Sequence, residues 1–360
     1  MSDKTSKLML AAYETDREPT LFLAGMFQAP ARNFHNSEEV EIDIIRGEEE
    51  ISIAIQDLST GARYNSEDLF TNKGFKPPIH KEAGPINAHT LLRRNPGEDP
   101  FMAVDFQANA IKRAVRLGSK LQRKIARAVE LQASQVLTTG AVTLSDENGA
   151  AVYTISYAPK ATHFPTASIA WDQSNSTKLA DIAALANVIR ADGLDDPDML
   201  IMGAKSFELF IDDAEVQARL NNRRMQVGGI VPMERMGNGG TYRGTIEIEN
   251  YSYDIWTYDG RYKHPQTGAS TKYVADDKVI VRASTGRLDA TFGGIPRIGS
   301  VDPRIPAALT SRISLPGQML DLQMNAWITP DGETMMVQAG TRPLMIPTAI
   351  DSFGCLDTGI

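Results

Sequence analysis

The stretch from Val104 to Thr139 carries no proline and one glycine, Gly118, and it constrains the fold more than any other part of the chain. At 3.6 residues per turn, Ile111, Gly118, Leu121, Ile125, Val129, Gln132 and Val136 fall mainly on one face. Arg113, Arg116, Lys120, Lys124 and Arg127 lie close together on the opposite face. Gly140 supplies a C-terminal stop, since glycine adopts the left-handed conformation that closes a helix without a Cβ penalty. The pattern predicts a single helix of roughly 35 residues and about 50 Å. Most globular helices are far shorter, so the remaining chain has to be organised along this rod.

Charge is uneven in the same place. Between Asp105 and Thr139 there are seven basic residues and two acids, a local +5, in a chain of net charge -8. The overall balance argues against a surface that is basic throughout, but it leaves room for a local basic face. That face reads either as a solvated helix surface or as a surface turned toward a polyanion, where phosphate contacts are electrostatic and independent of sequence. No aromatic residues interleave with the cations, which argues against a stacking platform for single strands.

Around the rod the elements are mixed, and the class is α+β. Residues 1–38 show no sustained period and suggest an arm lying on something else. Val40, Ile42 and Ile44 alternate with Glu39, Glu41 and Asp43, and Ile51, Ile53 and Ile55 recur at the same two-residue spacing, which predicts strands with one buried face. Residues 58–100 are poor in core formers and rich in turn residues, with sparse apolar positions such as Leu69, Phe70, Phe75, Ile79, Ile86, Leu91 and Leu92. An excursion of that length inside a compact domain is uncommon and usually functional; an extended hairpin that needs a neighbour to cover it fits. After the helix, Ala141–Tyr157 reads as a hairpin turning near Asp146–Gly149. Leu179–Ile189 reads as a helix ending at Gly193, Met199–Met202 as a short strand, and Ser206–Leu220 as a helix. Gly228–Gly244 reads as a glycine-rich loop, residues 245–258 and 272–282 as paired strands, and Glu333–Ile346 as a final strand whose pairing Pro343 and Pro347 limit.

The chemistry-bearing residues form no recognisable catalytic frame. The five histidines, His35, His80, His89, His163 and His264, include no HExxH or other close helical pair and read as exposed loop residues. The single cysteine, Cys355, allows no intrachain disulfide or cysteine zinc site, fits a reducing compartment, and reads as a buried structural thiol. There is no GxSxG. In GNGGTYRG, Gly237–Gly244, Tyr242 stands where a dinucleotide fingerprint needs its third glycine. The paired carboxylates Glu98-Asp99 and Asp195–Asp198 suit a helix start and a turn, respectively. No catalytic, cofactor or metal residue is assigned. The N-terminal MSDKTSKLMLAAYETD has no apolar core of a secretory signal, and no run of eighteen apolar residues marks a membrane span.

The order of parts resembles a known family: an arm, a long extended loop, one very long helix, a mixed domain and a return strand. Phe75-Lys76-Pro77-Pro78, Leu91-Leu92-Arg93-Arg94 and Glu98-Asp99-Pro100 are similar to the end of the extended loop and the start of the spine helix in tailed-phage major capsid proteins of the lambda-type head family. Met199–Gly203 with Phe207, and Leu220–Arg224, resemble the strand-helix unit of that family's axial domain. Tyr242-Arg243-Gly244 before the Tyr251–Tyr258 strand resembles its central hairpin, and Pro343-Leu344-Met345 its closing strand.

The resemblance implies an HK97-type capsid fold. Its parts would be an N-terminal arm at 1–45, an extended β-hairpin loop at 46–100, and a peripheral domain with the spine helix at 101–175. An axial domain would follow at 176–324, with a peripheral closing strand at 325–360. It implies self-assembly as hexamers and pentamers into an icosahedral head around double-stranded DNA, within a host bacterial cytoplasm, and no membrane role. Phe75, Pro77, Pro78, Ile79, Arg93 and Arg94 would then lie at a subunit interface, the arginines facing acids of a neighbour. Arg113, Arg116, Lys120, Lys124 and Arg127 would make non-specific contact with packaged DNA. Fewer than about forty-five residues precede the extended loop, which points to a separate scaffold protein. A portal and a decoration protein complete the expected partners. Covalent crosslinking through Lys73 or Lys76 is a competing way to lock such a shell. Readings from other classes are an α+β hydrolase-like or carbohydrate-active enzyme with dispersed carboxylates, and a tail tube subunit; the long basic-faced helix argues against the mostly β tail tube.

Overall fold

The computed structural model describes residues 18–30, 33–34, 40–44, 71–91, 106–145, 151–193, 195–219, 237–295 and 322–360. The chain runs through β1 (Val40–Ile44), β2 (Thr71–Phe75), β3 (His80–Asn87), a one-turn helix α1 (Ala88–Leu91), the long helix α2 (Phe106–Thr139), β4 (Ala141–Ser145) and β5 (Ala151–Ser156). It continues with α3 (Lys178–Gly193), β6 (Met199–Met202), α4 (Ala204–Ile211), α5 (Ala214–Arg219), β7 (Gly240–Ile248) and β8 (Tyr251–Tyr258). Then come β9 (Arg261–Lys263), β10 (Ser270–Lys272), β11 (Lys278–Arg282), β12 (Asp289–Phe292), β13 (Gln323–Ile328), β14 (Thr334–Thr341), β15 (Pro343–Ile346) and β16 (Phe353–Asp357).

The long helix forms where its period places it, over 34 residues. Gly140 ends it at φ 64°, with its N–H donating to the Val136 carbonyl over 2.8 Å. Two different partners fill its apolar face. Along the first half, Ala114 packs with Ile86, Ala326 and Val337 of the three-stranded sheet β13-β14-β3. Along the second half, Ala126, Val129, Ala133, Val136 and Leu137 enter the main core. Gly118 lies where Met324 crosses the helix; a Cβ there would stand 2.9 Å from Met324 Cε.

Beside the second half lies a five-stranded sheet in the order β16-β11-β6-β8-β7, in which only β6 and β8 run parallel. Its side chains alternate between two cores, as successive residues of a strand must. Ile201, Ile280, Cys355 and Tyr258 face the main core and the long helix. Leu200, Met202, Val279, Val281 and Leu356 face a second core closed by Leu179, Ile182, Leu185 and Ile189 of α3. A sheet buried on both sides needs continuous apolar runs, which is why Met199–Met202 shows no alternation. The hairpin β7–β8 turns through Glu249 and Asn250 at φ 48° and 70°.

Several expectations are corrected. The helix expected over Ser206–Leu220 is two helices, α4 and α5. Asp213 breaks it: one carboxylate oxygen accepts the Glu215 N–H (2.9 Å) as an N-cap, and the other sits 3.2 Å from the buried Lys178 Nζ. Gly240–Gly244 is part of β7 rather than a loop. Gly240 is glycine because the Phe22 ring occupies the place of a side chain, 2.3 Å from where a Cβ would stand. Glu333–Ile346 is not one final strand. Arg342 separates β14 from β15, which pair in different sheets, and β16 follows them. Cys355 is a buried free thiol as expected, and the β4–β5 hairpin forms. The strand expected at Ile51–Ile55, the turn at Asp146–Gly149, Leu220–Arg224, residues 228–236 and Glu98-Asp99 lie outside the described residues. Among the described residues no helix is long and apolar enough to cross a membrane.

Candidate functional site

The residues singled out by sequence fall into two neighbouring surfaces. The first is the root of the hairpin. β1 and β2 pair antiparallel, among the described residues in a sheet of their own, with Val40 opposite Phe75 and Ile44 opposite Thr71. Phe75 turns its ring edge-on to Tyr157, at 5.5 Å between centroids, and the Tyr157 hydroxyl donates to the Met345 carbonyl over 2.7 Å. Pro77 is buried against Gly293, and its carbonyl accepts the Arg342 Nε–H over 3.3 Å. Arg342 Nη1 donates in turn to Gly294 O over 3.0 Å. Pro78 is half-buried and Ile79 is 52% exposed. Phe75 and Pro77 therefore anchor the root to their own chain, while Ile79 remains outward. Arg93 and Arg94 lie outside the described residues.

β3 then runs back along the long helix, tied to it at successive levels. His80 Nε2 lies 2.9 Å from Gln132 Nε2, Glu82 Oε1 lies 2.7 Å from Lys124 Nζ, and Gly84 lets the Leu117 side chain approach closely. In the neutral ring this imidazole nitrogen can accept from the Gln132 amide. Burial lowers the His80 pKa in agreement, opposed by the nearby Glu82.

The second surface is the basic face of α2. Arg116, Lys120 and Lys124 are exposed, whereas Arg113 and Arg127 are half-buried. Lys112 is exposed as well and completes a row at four-residue spacing: Lys112, Arg116, Lys120, Lys124. Each step advances about 6 Å along the axis. Grouping the cations around one angle passes over Lys112; the i, i+4 spacing is the signal for the row. Lys124 also holds Glu82 of its own chain.

Two buried polar joints have no counterpart in the sequence pattern. Glu130 is wholly buried in the long helix, and its two oxygens accept the Leu23 and Ala24 N–H groups, each over 2.9 Å. These are the first N–H groups of the 3-10 turn Ala24–Met26, so the carboxylate caps it. Burial pushes the Glu130 carboxyl above the ordinary glutamate range, against the lowering pull of those N–H groups and the Tyr258 hydroxyl. The second joint corrects the expectation that the histidines are exposed: His163 is 1% exposed. Its Nδ1–H donates to the Phe353 carbonyl (2.8 Å), and Nε2 lies 3.2 Å from Asp192 Oδ2. Lys160, hydrogen-bonded to Asp192 over 2.7 Å, is the main reason that carboxyl sits below its ordinary range. No local motif announces either joint, because their partners are 106 and 190 residues away in sequence. His89 is exposed, His264 half-buried, and His35 lies outside the described residues. Among the described residues no group of three or more His, Cys, Asp or Glu side chains could hold a metal ion.

The profile of the family described as phage major capsid protein E matches residues 5–353. Among solved structures the chain is similar to a protein described as a prophage capsid protein of E. coli CFT073, at 15% identity and TM-score 0.59, covering 94% of this chain and 93% of that one. It is also similar to the capsid of a native GTA particle, at 10% identity and TM-score 0.52, covering 99% and 95%. A phage-related protein of Bordetella bronchiseptica RB50 is similar at 10% identity and TM-score 0.50, covering 95% and 93%. No curated protein matches by sequence.

Proposed function

Because the chain belongs to the phage major capsid protein E family, we propose that its copies assemble as hexamers and pentamers into an icosahedral head around double-stranded DNA. The protein is a structural capsid protein with an HK97-type fold, not an enzyme, and its place is the virion capsid. On this reading residues 1–45 are the arm, 46–100 the extended loop, 101–175 and 325–360 the peripheral domain, and 176–324 the axial domain. Assembly takes place in the host cytoplasm with a separate scaffold protein and a portal, and a decoration protein engages the arm and loop.

One observation carries the assembly reading. Among the described residues the β1–β2 pair is a two-stranded sheet of its own, and a lone hairpin is at best marginal in water. It gains stability by lying on a neighbouring copy, with Ile79 and Pro78 at its root and Arg93 and Arg94 beyond them as contacts. The exposed cations of the long helix support the DNA reading, since they sit opposite the face that the chain fills with its own core.

Electron microscopy of the purified protein tests the assembly: shells, hexamers or pentamers are expected, and a small monodisperse particle or an open tube would overturn it. Ile79→Asp is expected to reduce particle yield at least several-fold while leaving the subunit's circular dichroism unchanged. For the helix face, a particle map that turns Arg116, Lys120 and Lys124 to the outside would sink the DNA contact.

A further inference from the structure

Among the described residues, the buried Glu130 is unusual in being held without a cation. Its partners are the backbone N–H groups of Leu23 and Ala24, each at 2.9 Å, that of Phe22, and the Tyr258 hydroxyl. They belong to the joint between residues 20–27, the long helix and the five-stranded sheet. Phe22 inserts beside Trp256 and Tyr258, at centroid distances of 5.7 and 5.3 Å, over the bare backbone of Gly240. The Tyr258 oxygen lies 2.8 Å from Thr20 Oγ1 and 3.3 Å from the Thr20 carbonyl, and the same hydroxyl reaches Glu130. Leu23 and Phe27 are buried in the main core.

We propose that Glu130 is a carboxylate latch that docks residues 20–27 onto the long helix and makes the strength of that docking follow pH. The latch belongs to the single chain and does not depend on how copies assemble.

The proton inventory shows how both states can be satisfied. With Glu130 ionised, Thr20 Oγ1–H donates to Tyr258 Oη, and Tyr258 O–H donates to the carboxylate. With Glu130 protonated, its O–H donates to Tyr258 Oη and the Tyr258 O–H turns to the Thr20 carbonyl, so no buried donor is orphaned. The other titratable groups facing this joint are Tyr258 on β8, Tyr273 after β10, and Tyr262 on β9 beside Tyr273. Arg127 lies one turn back on the helix and acts on Tyr273. Burial raises all three phenols, so none of them ionises before Glu130 does.

The sign follows from linkage. A carboxyl whose docked pKa is raised holds its proton more tightly when docked than when hydrated. Docking is therefore strongest below the ordinary glutamate pKa, weakens as pH rises through the raised value, and then levels off. Acid tightens this joint, the reverse of what a cation-paired carboxylate would do.

Hydrogen exchange by mass spectrometry on the full chain tests it, following peptides that cover residues 20–27 from about pH 5 to about pH 8, corrected for intrinsic exchange. The opening constant of the wild-type segment is expected to rise with pH by up to about tenfold per unit before reaching a plateau. Glu130→Gln cannot titrate, and its opening constant is expected to be flat across the range. A flat wild-type profile, or the same rise in Glu130→Gln, would overturn the latch. Should Glu130→Gln fail to fold, Tyr258→Phe decides: loss of the hydroxyl donor pushes the carboxyl higher still, so the plateau moves to higher pH, and an unchanged profile would count against the proposal.

Discussion

The two halves of the long helix solve different problems with the same backbone. From Asn109 to Lys124 one face is buried on the three-stranded sheet and the other stands in water, carrying Lys112, Arg116, Lys120 and Lys124. From Ile125 to Leu137 burial runs almost all the way round: Ile125, Ala126, Val129, Glu130, Gln132, Ala133, Ser134, Val136 and Leu137 are all buried. The cations stop at Arg127 for that reason, since an unpaired buried ammonium is too costly. The one ionisable side chain beyond it in the helix, Glu130, survives because backbone donors satisfy it. An amphipathic helix thus becomes an enveloped one partway along its length, and the change in charge marks the place.

The largest effect expected of a single truncation follows from that contrast. Leu137 is 0% exposed in the enveloped half, and Leu137→Ala is expected to cost about 2–5 kcal/mol through lost transfer energy and a cavity its rigid neighbours cannot close. Leu117 is half-buried in the first half, and Leu117→Ala is expected to cost at most about 2 kcal/mol, because only part of its surface leaves water on folding. Denaturant midpoints of dissociated subunits measure both. Equal losses would break the distinction between the halves.

The helix itself is legible in the sequence because its signals are local. A 3.6-residue period over 34 positions, a terminal glycine and an absence of proline need no knowledge of the rest of the chain. The halves are not legible, because what distinguishes them is contributed from far away: Met324 over Gly118, Phe22 and Leu23 around Glu130. The break at Asp212-Asp213 is hidden although Asp213 is a strong N-cap residue, because apolar spacing continues across it. Gly240 reads as loop because glycine is a turn former; its actual reason is the Phe22 ring, 218 positions away, which no local rule could supply. At the hairpin root, the sequence groups Phe75, Pro77 and Ile79 together, but it does not divide those that anchor to the chain itself from the one that faces out.

Gly118 sharpens the picture of the first half. A helix-interior glycine costs about 1 kcal/mol relative to alanine. Among the described residues, the one atom that a Cβ there would meet is the terminal methyl of Met324, at 2.9 Å, the far end of a flexible side chain. Gly118→Ala is therefore expected to stabilise the subunit by up to about 1 kcal/mol, read as a raised unfolding midpoint. A loss of similar size would mean that Met324 is pinned by the sheet and that the first half is packed as rigidly as the second.

The smallest effect on folding is expected at the exposed row, and there stability and function should separate. Lys120→Ala removes a solvated side chain, and its effect on unfolding is expected to stay within about 0.5 kcal/mol. Lys124→Ala also removes the pair with Glu82, whose two side chains are 61% and 35% exposed, and so is expected to cost no more than about 1 kcal/mol. If the row meets phosphates, Arg116→Ala with Lys120→Ala lowers the slope of log binding constant against log salt for duplex DNA by about 0.9 for each phosphate no longer neutralised, with the subunit's melting unchanged. A slope that stays put would leave the row as a solvated face and confine the helix's role to its buried side. A fall in melting as large as that of Leu137→Ala would show instead that the first half is enveloped too, by a neighbouring copy.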